Sequence, residues 1–253
     1  MNVIPSSMTL PELRNPDRLA LFLDFDGTLV AIGNRPDDVR LDPETREALT
    51  DLNRLLAGAL AIVTGRDIAT ADHFLAPLRL SIAGVHGLMR RDAQGNTYAS
   101  MVDSRLPAAI ERAVSPLLAK HPGLLVERKH GALALHYRAH PELEQASIEA
   151  MENAIGELRE TEIMRGKMVV EVKALGGNKG TAIMDFLNEK PFAGRQAVFA
   201  GDDATDEDAF AAVNARDGIS IKIGPGATHA TYRAAGTAEF LTWLRQLPTQ
   251  LRG

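Results

Sequence analysis

Two rhythms of apolar and polar positions divide the chain. In the first, short runs apolar at every position alternate with stretches apolar at every third or fourth. Leu19–Leu23 is such a run and ends at Asp24; a segment apolar on both faces predicts a strand buried in a parallel sheet. Asp42-Pro43-Glu44 then reads as an N-cap, a proline in the first helical position and an acidic first turn. The helix it opens carries Leu49, Leu52, Leu55 and Leu56 on one stripe and stops at Gly58. Residues 59–63 form a second buried strand that runs into Thr64-Gly65-Arg66. The same rhythm returns late in the chain. Helices are expected over 179–188, 206–214 and the 240–247 region, with strands over 197–200 and 219–223. This β–α–β alternation predicts a Rossmann-like α/β core, a parallel sheet with helices on its faces.

The second rhythm occupies residues 103–173. A helix over 107–120 precedes two alternating strands, 124–129 and 132–137; a helix over 141–158 precedes a second hairpin, 162–165 and 168–173. Such an α-β-β-α-β-β block is antiparallel in character, and it reads as a small α+β insert, a cap over the core. The expected division is therefore 1–102 with 174–253 as core and 103–173 as cap. If His130-Gly131 is a two-residue turn, Lys129 pairs with Ala132 and Glu127 with Ala134. One face then carries Leu124, Val126, Leu133, Leu135 and Tyr137. The other carries Glu127, Lys129, Ala132, Ala134 and His136, and on the last strand Val169, Glu171 and Lys173 share a face. That polar face is either solvated or turned to a cleft, where it would suit a ligand bearing many hydroxyls.

Composition narrows the classes. The 253 residues are 45% hydrophobic and 24% charged, enough apolar material for a real core. A net charge of −5 gives no polycationic footprint, which argues against nucleic acid or an anionic membrane as partner. The longest apolar run, residues 55–63, contains Gly58 and is about half the roughly 20 residues a span needs. Residues 1–16 hold Pro, Ser and Asn where a signal peptide needs a continuous apolar stretch. Without cysteine, neither disulfides nor zinc–thiolate sites can form. The expectation is a soluble, cytoplasmic protein, with a monomer as the working assumption.

Four polar clusters sit where buried strands end, the place where open α/β sheets bind ligands. In Asp24-Phe25-Asp26-Gly27-Thr28, one carboxylate can attack phosphorus, and a second, two residues on, can serve as acid and then base. Alone, the same segment could be an ordinary turn. Thr64-Gly65-Arg66 offers a hydroxyl and backbone N–H groups at a helix start, fit for phosphate or for simple capping. Lys179 opens a helix, where an ammonium is misplaced unless an anion lies nearby. Asp202, Asp203, Asp206, Glu207 and Asp208 crowd one strand end, and a hard divalent ion would offset part of that charge. Glu207 and Asp208 read as ordinary helix N-terminal acids. Together the four describe a phosphoryl-transfer site.

In this order the clusters resemble the motifs of the haloacid dehalogenase superfamily, and the insert resembles its C2-type cap. Further segments, Gly84-Val85-His86-Gly87, residues 134–138, 169–173 and 201–207, and Lys222-Ile223-Gly224 with Gly226-Ala227-Thr228, are similar to the bacterial trehalose-6-phosphate phosphatases. That resemblance implies Mg²⁺-dependent hydrolysis of trehalose 6-phosphate through an aspartyl-phosphate. It implies Asp24 as nucleophile and metal ligand, and Asp26 as general acid/base giving its carbonyl to the metal. Asp202 becomes the third protein ligand, with Asp203 and Asp206 direct or one layer behind, while Thr64 and Lys179 hold the phosphoryl group beside Gly65 and Arg66. Glu127, Lys129 and Glu171 match the cap residues that grip glucose hydroxyls. Arg165 and Lys167 are further candidates for substrate contact, and His86 is either a substrate contact or a structural histidine. Rival functions are another capped sugar phosphatase, a phosphomutase, or a non-catalytic sugar-phosphate regulator.

Overall fold

The computed structural model describes residues 10–33, 38–156 and 160–253. In chain order, β1 (Leu19–Leu23), α1 (Pro43–Leu55), β2 (Leu60–Val63), α2 (Ile68–Leu75) and β3 (Ser81–Gly84) lead to a short antiparallel extension, β4 (Met89–Arg91) and β5 (Thr97–Ala99). Then come α3 (Leu106–Lys120), β6 (Leu125–Lys129), β7 (Ala132–His136), α4 (Glu144–Ile155), β8 (Thr161–Gly166) and β9 (Val169–Ala174). The chain closes with α5 (Lys179–Leu187), β10 (Gln196–Gly201), α6 (Glu207–Asn214), β11 (Ile219–Ile223), β12 (Tyr232–Ala234) and α7 (Thr237–Gln250).

Two sheets result. The larger has the order β12-β11-β10-β1-β2-β3-β4-β5, parallel from β12 to β3 and antiparallel beyond. Every residue of β1 is buried, as a strand covered by helices on both faces must be. α1 starts where its caps dictate: Asp42 accepts the Thr45 amide at 2.9 Å, and Pro43 occupies the first turn. Leu49 and Leu52 are buried, and Ala57 and Gly58 turn the chain left-handed into β2. Phe22 of β1 stacks with Phe192 at 5.4 Å, and Phe186 of α5 completes the aromatic cluster under that face of the sheet.

The smaller sheet, β6-β7-β9-β8, is wholly antiparallel. Lys129 pairs with Ala132 and Glu127 with Ala134, the register a two-residue turn dictates. Ala134 in turn faces Glu171 on β9. Leu124, Leu133, Leu135, Tyr137, Val170 and Val172 pack on α3 and α4 to form their own apolar cluster. The opposite face, bearing Glu127, Lys129, His136 and Glu171, looks onto a cleft above the larger sheet.

Several short elements escape the sequence pattern: α2, the edge strands β4, β5 and β12, and a 3₁₀ turn, Pro141–Leu143, ahead of α4. The helix expected over 141–158 is described only to Ile155; 157 and 158 lie outside the described residues, as do 1–9 of the segment read for a leader. Among the described residues, no helix is long and apolar enough to cross a membrane.

Candidate active site

Strand order reverses between β1 and β10, and both strands deliver carboxylates at that reversal. Asp24 leaves β1 with its amide still bonded to Ala200 at 3.0 Å, and Asp202 follows β10. The two turns approach so closely that a Cβ on Gly27 would lie 2.1 Å from Asp202 Oδ2. Gly27 also sits at φ 82°, so the position demands glycine twice over.

Lys179, the first residue of α5, donates from Nζ to Asp24 Oδ1 at 2.6 Å and to Asp206 Oδ1 at 2.7 Å. These carboxylates are the anions its helix-start position required. Burial alone would lower the Lys179 ammonium, but Asp206 and Asp24 outweigh it and hold its pKa well above the ordinary range. Asp206 spends its other oxygen on the amides of Asp202 and Asp203, at 2.9 and 3.0 Å, and so shapes the turn. Lys222 Nζ supports the same turn from β11, donating to the Asp202 carbonyl at 2.8 Å.

Asp24, Asp202 and Asp206, all buried, each present an oxygen within 4.8 Å of the others. Burial raises Asp24, with Asp206 and Asp202 adding to the rise and Lys179 opposing it. Burial likewise pushes Asp202 up to about 6, Lys167 opposing. One buried ammonium among three buried carboxylates leaves negative charge in excess. A hard divalent cation with oxygen ligands fits that set. Asp203 stands apart from it, its carboxylate bound to the amide and hydroxyl of Thr205 at 2.8 and 2.7 Å.

Asp26 points elsewhere, into a fork. Arg66 Nε and Nη2 reach its two oxygens at 2.7 Å each, and the guanidinium lies over the rings of Phe25 and Phe74. The Arg66 charge, expected for substrate, is thus directed at Asp26. Thr64 is 1% exposed on the cleft floor, its Oγ1 accepting the Arg66 amide at 3.2 Å.

Across the cleft, a chain of alternating charge runs along the polar face of the smaller sheet. His136 Nε2 meets Glu127 at 3.0 Å, Lys129 lies 3.8 Å from Glu127 and 2.6 Å from Glu171, and Glu171 lies 3.7 Å from His86. Burial opposes the charged form of Lys129, yet Glu171 and Glu127 raise it. Burial, reinforced by Lys179, Lys129 and Lys173, drives His86 well below its usual value and keeps it neutral. Val85 and His86 both adopt positive φ, 47° and 53°, a strained placement for a β-branched residue and its neighbour. Gly65 makes room for the imidazole: a Cβ there would lie 2.5 Å from His86 Nε2. Arg165 is not on this face of the cleft. Its guanidinium bonds Glu152 at 2.8 Å, and it borders a neighbouring cavity with Lys173 and Glu162. The role of His136 went unassigned in the sequence, although strand alternation had placed it beside Glu127.

The comparisons with known proteins agree with this geometry. The family model described as trehalose-phosphatase matches residues 22–238. The chain belongs to the trehalose-phosphatase family. A trehalose-6-phosphate phosphatase of Escherichia coli (strain K12) is 40% identical over 252 residues, covering 97% of this chain and 93% of its own length. A probable trehalose-phosphate phosphatase of Sinorhizobium fredii (strain NBRC 101917 / NGR234) is 43% identical over 213 residues, 83% of this chain and 79% of that one. Among solved structures, a trehalose-6-phosphate phosphatase related protein superposes with TM-score 0.75 at 30% identity, over 91% of this chain and 97% of that one. A phosphatase of the haloalkanoate (HAD) superfamily from Bacteroides thetaiotaomicron shares the fold at TM-score 0.60 and 17% identity, over 96% of this chain and 99% of its own. In this trehalose-phosphatase family member, the four motifs and the capping sheet therefore belong to one fold type.

Proposed function

We propose that this chain hydrolyses trehalose 6-phosphate to trehalose and phosphate, with Mg²⁺ as cofactor, acting as a cytoplasmic monomer. One observation carries the reading: the Asp24–Lys179–Asp206 cluster lies at the strand reversal, beneath a cap face whose charged groups are set for a polyhydroxylated ligand. Family membership gives the substrate class its support.

Asp24 and Asp202, with the Asp26 carbonyl, would hold the ion, Asp206 orienting the turn that carries Asp202. Mg²⁺ when bound supplies positive charge to phosphoryl oxygens. An Asp24 oxygen attacks phosphorus while the bond to the sugar oxygen breaks, and Asp26 gives that oxygen its proton. Asp26 then takes a proton from water, whose oxygen attacks the aspartyl-phosphate and frees Asp24 and phosphate. Thr64, the Gly65 backbone and Lys179 hold the phosphoryl group, and Arg66 orients Asp26. Glu127, Lys129 and Glu171 receive the sugar from the cap side, with His86 below.

A phosphate-release screen over trehalose 6-phosphate, sucrose 6-phosphate and glucose 6-phosphate tests the reading, with Asp24→Asn as the inactive control. Preference for another ester would move the assignment to a different capped sugar phosphatase. Turnover by Asp24→Asn would remove the nucleophile.

A further inference from the structure

The turn joining β8 to β9 reaches out of the capping sheet and down onto the phosphoryl site. Its Lys167 places Nζ on Asp202 Oδ2, an ion pair between cap and core. Arg138, also from the cap, braces the turn from behind. It donates to the Lys167 carbonyl at 3.0 Å and, through its other nitrogen, to the Gly33 carbonyl on the core side. Thus the backbone of the turn is held, while the Lys167 side chain remains 55% exposed and free to swing. Such a half-exposed pair contributes little to stability, so the contact needs another explanation.

Charge supplies one. Asp24, Asp202 and Asp206 bring three negative charges and Lys179 one positive. A bound divalent cation would neutralise the remainder, and a phosphomonoester would then bring up to two more negative charges. Arg66 and Lys129 line the same cleft, but their charges are matched by Asp26 and Glu171. Lys167 is the charge that the cap adds on closing.

We propose that Lys167 is a catalytic residue supplied by the cap: once Asp202 serves the metal, its ammonium turns to the phosphoryl oxygens. It gives and takes no proton. Asp24 forms the new bond to phosphorus, the ester oxygen leaves with the Asp26 proton, and Lys167 offsets charge on the oxygens between them. A sugar that holds the cap down thereby brings in part of the catalytic charge, which makes specificity a matter of rate as well as binding. The inference rests on the phosphatase reading above.

Two measurements separate the inference from that reading. Calorimetric titration of the substrate-free protein with Mg²⁺ reads the resting contact. Lys167→Met should bind Mg²⁺ about fivefold more tightly, because no ammonium competes for Asp202. Kinetics reads the working contact. Lys167→Met should lower kcat on trehalose 6-phosphate by about 10²-fold with KM moved less than about threefold, and Lys167→Arg should restore most of it. On p-nitrophenyl phosphate, which carries no sugar to hold the cap, the loss should stay under about fivefold. Equal losses on the two esters, an intact kcat on trehalose 6-phosphate, or unchanged Mg²⁺ affinity would overturn the role of Lys167. A wild type that shows no turnover of trehalose 6-phosphate, with the Mg²⁺ effect present, would strike the phosphatase reading instead.

Discussion

Asp26 and Arg66 form a two-pronged pair, each carboxylate oxygen 2.7 Å from a guanidinium nitrogen. The arginine is fixed in turn by the rings of Phe25 and Phe74, 5.5 and 4.8 Å from its central carbon. A general acid/base held on both oxygens has one orientation, and orientation is worth more to a proton transfer than proximity alone. Arg66→Ala should lower kcat about 10- to 100-fold with KM nearly constant. Arg66→Lys should not recover it, since an ammonium cannot match the fork. In a double-mutant cycle with Asp26→Asn, the second substitution should cost little. Additive losses would separate the two residues.

His86 owes its place to a missing side chain. A Cβ at Gly65 would lie 2.5 Å from the imidazole, and the strained Val85-His86 backbone leaves the ring little room to retreat. Gly65→Ala should therefore push the ring toward Glu171 and raise KM for trehalose 6-phosphate, with thermal stability changed by less than about 1 kcal/mol. In a His86→Ala background the same substitution should be close to silent. Steady-state kinetics of the four proteins decides; a full effect of Gly65→Ala without the histidine would rule this out.

Glu127 is held by His136 at 3.0 Å, with Lys129 beyond it. Removing the imidazole frees the carboxylate that faces the sugar. His136→Ala should cut kcat/KM on trehalose 6-phosphate about tenfold, in line with one hydrogen bond to a charged group, and leave p-nitrophenyl phosphate within about twofold. Matching losses on both esters would place His136 outside sugar recognition.

Metal and pH should act on stability together. Burial raises Asp24 and Asp206, and pushes Asp202 up to about 6. For an acid raised by folding, the stabilising contribution is full below the unfolded value near about 4 and is lost as pH rises through the folded value. Metal-free protein should accordingly weaken between about pH 4 and 6 from Asp202 alone, and further as the others ionise. Mg²⁺ answers the same charges, so the Tm gain it gives should be larger at about pH 7.5 than at about pH 5. Thermal scans with Mg²⁺ or EDTA measure this, and equal gains at both pH values would contradict it. EDTA should also stop turnover reversibly.

Much of the fold was legible from local signals. Leu19–Leu23 and Ile219–Ile223 are strands over the bounds their apolar runs predicted, and Asp42 caps the helix it was expected to cap. The elements that escaped lack such signals. β4, β5 and β12 are three residues each, and β5 is wholly exposed, so neither a buried run nor a clear alternation marks them. α2 is a single short amphipathic segment between two turns. Site residues divided similarly: Asp24, Thr64, Lys179 and Asp202 were found because each follows a buried strand or opens a helix. Arg66 was found but aimed at substrate, since adjacency in sequence to Thr64 says nothing of where a long side chain ends.

The sequence by itself determined what depends on neighbours along the chain. Side-chain alternation along a strand is fixed by the backbone, so a two-residue turn at His130-Gly131 was enough to put Glu127 and Lys129 on one face with His136. Only the tertiary structure decided what depends on neighbours across it. That Asp26 meets Arg66, that Asp206 grips Lys179 rather than solvent, and that Lys167 lands on Asp202 follow from the order of strands and the tilt of the cap. Those contacts join elements far apart in sequence, and their geometry is set by how whole sheets and helices pack.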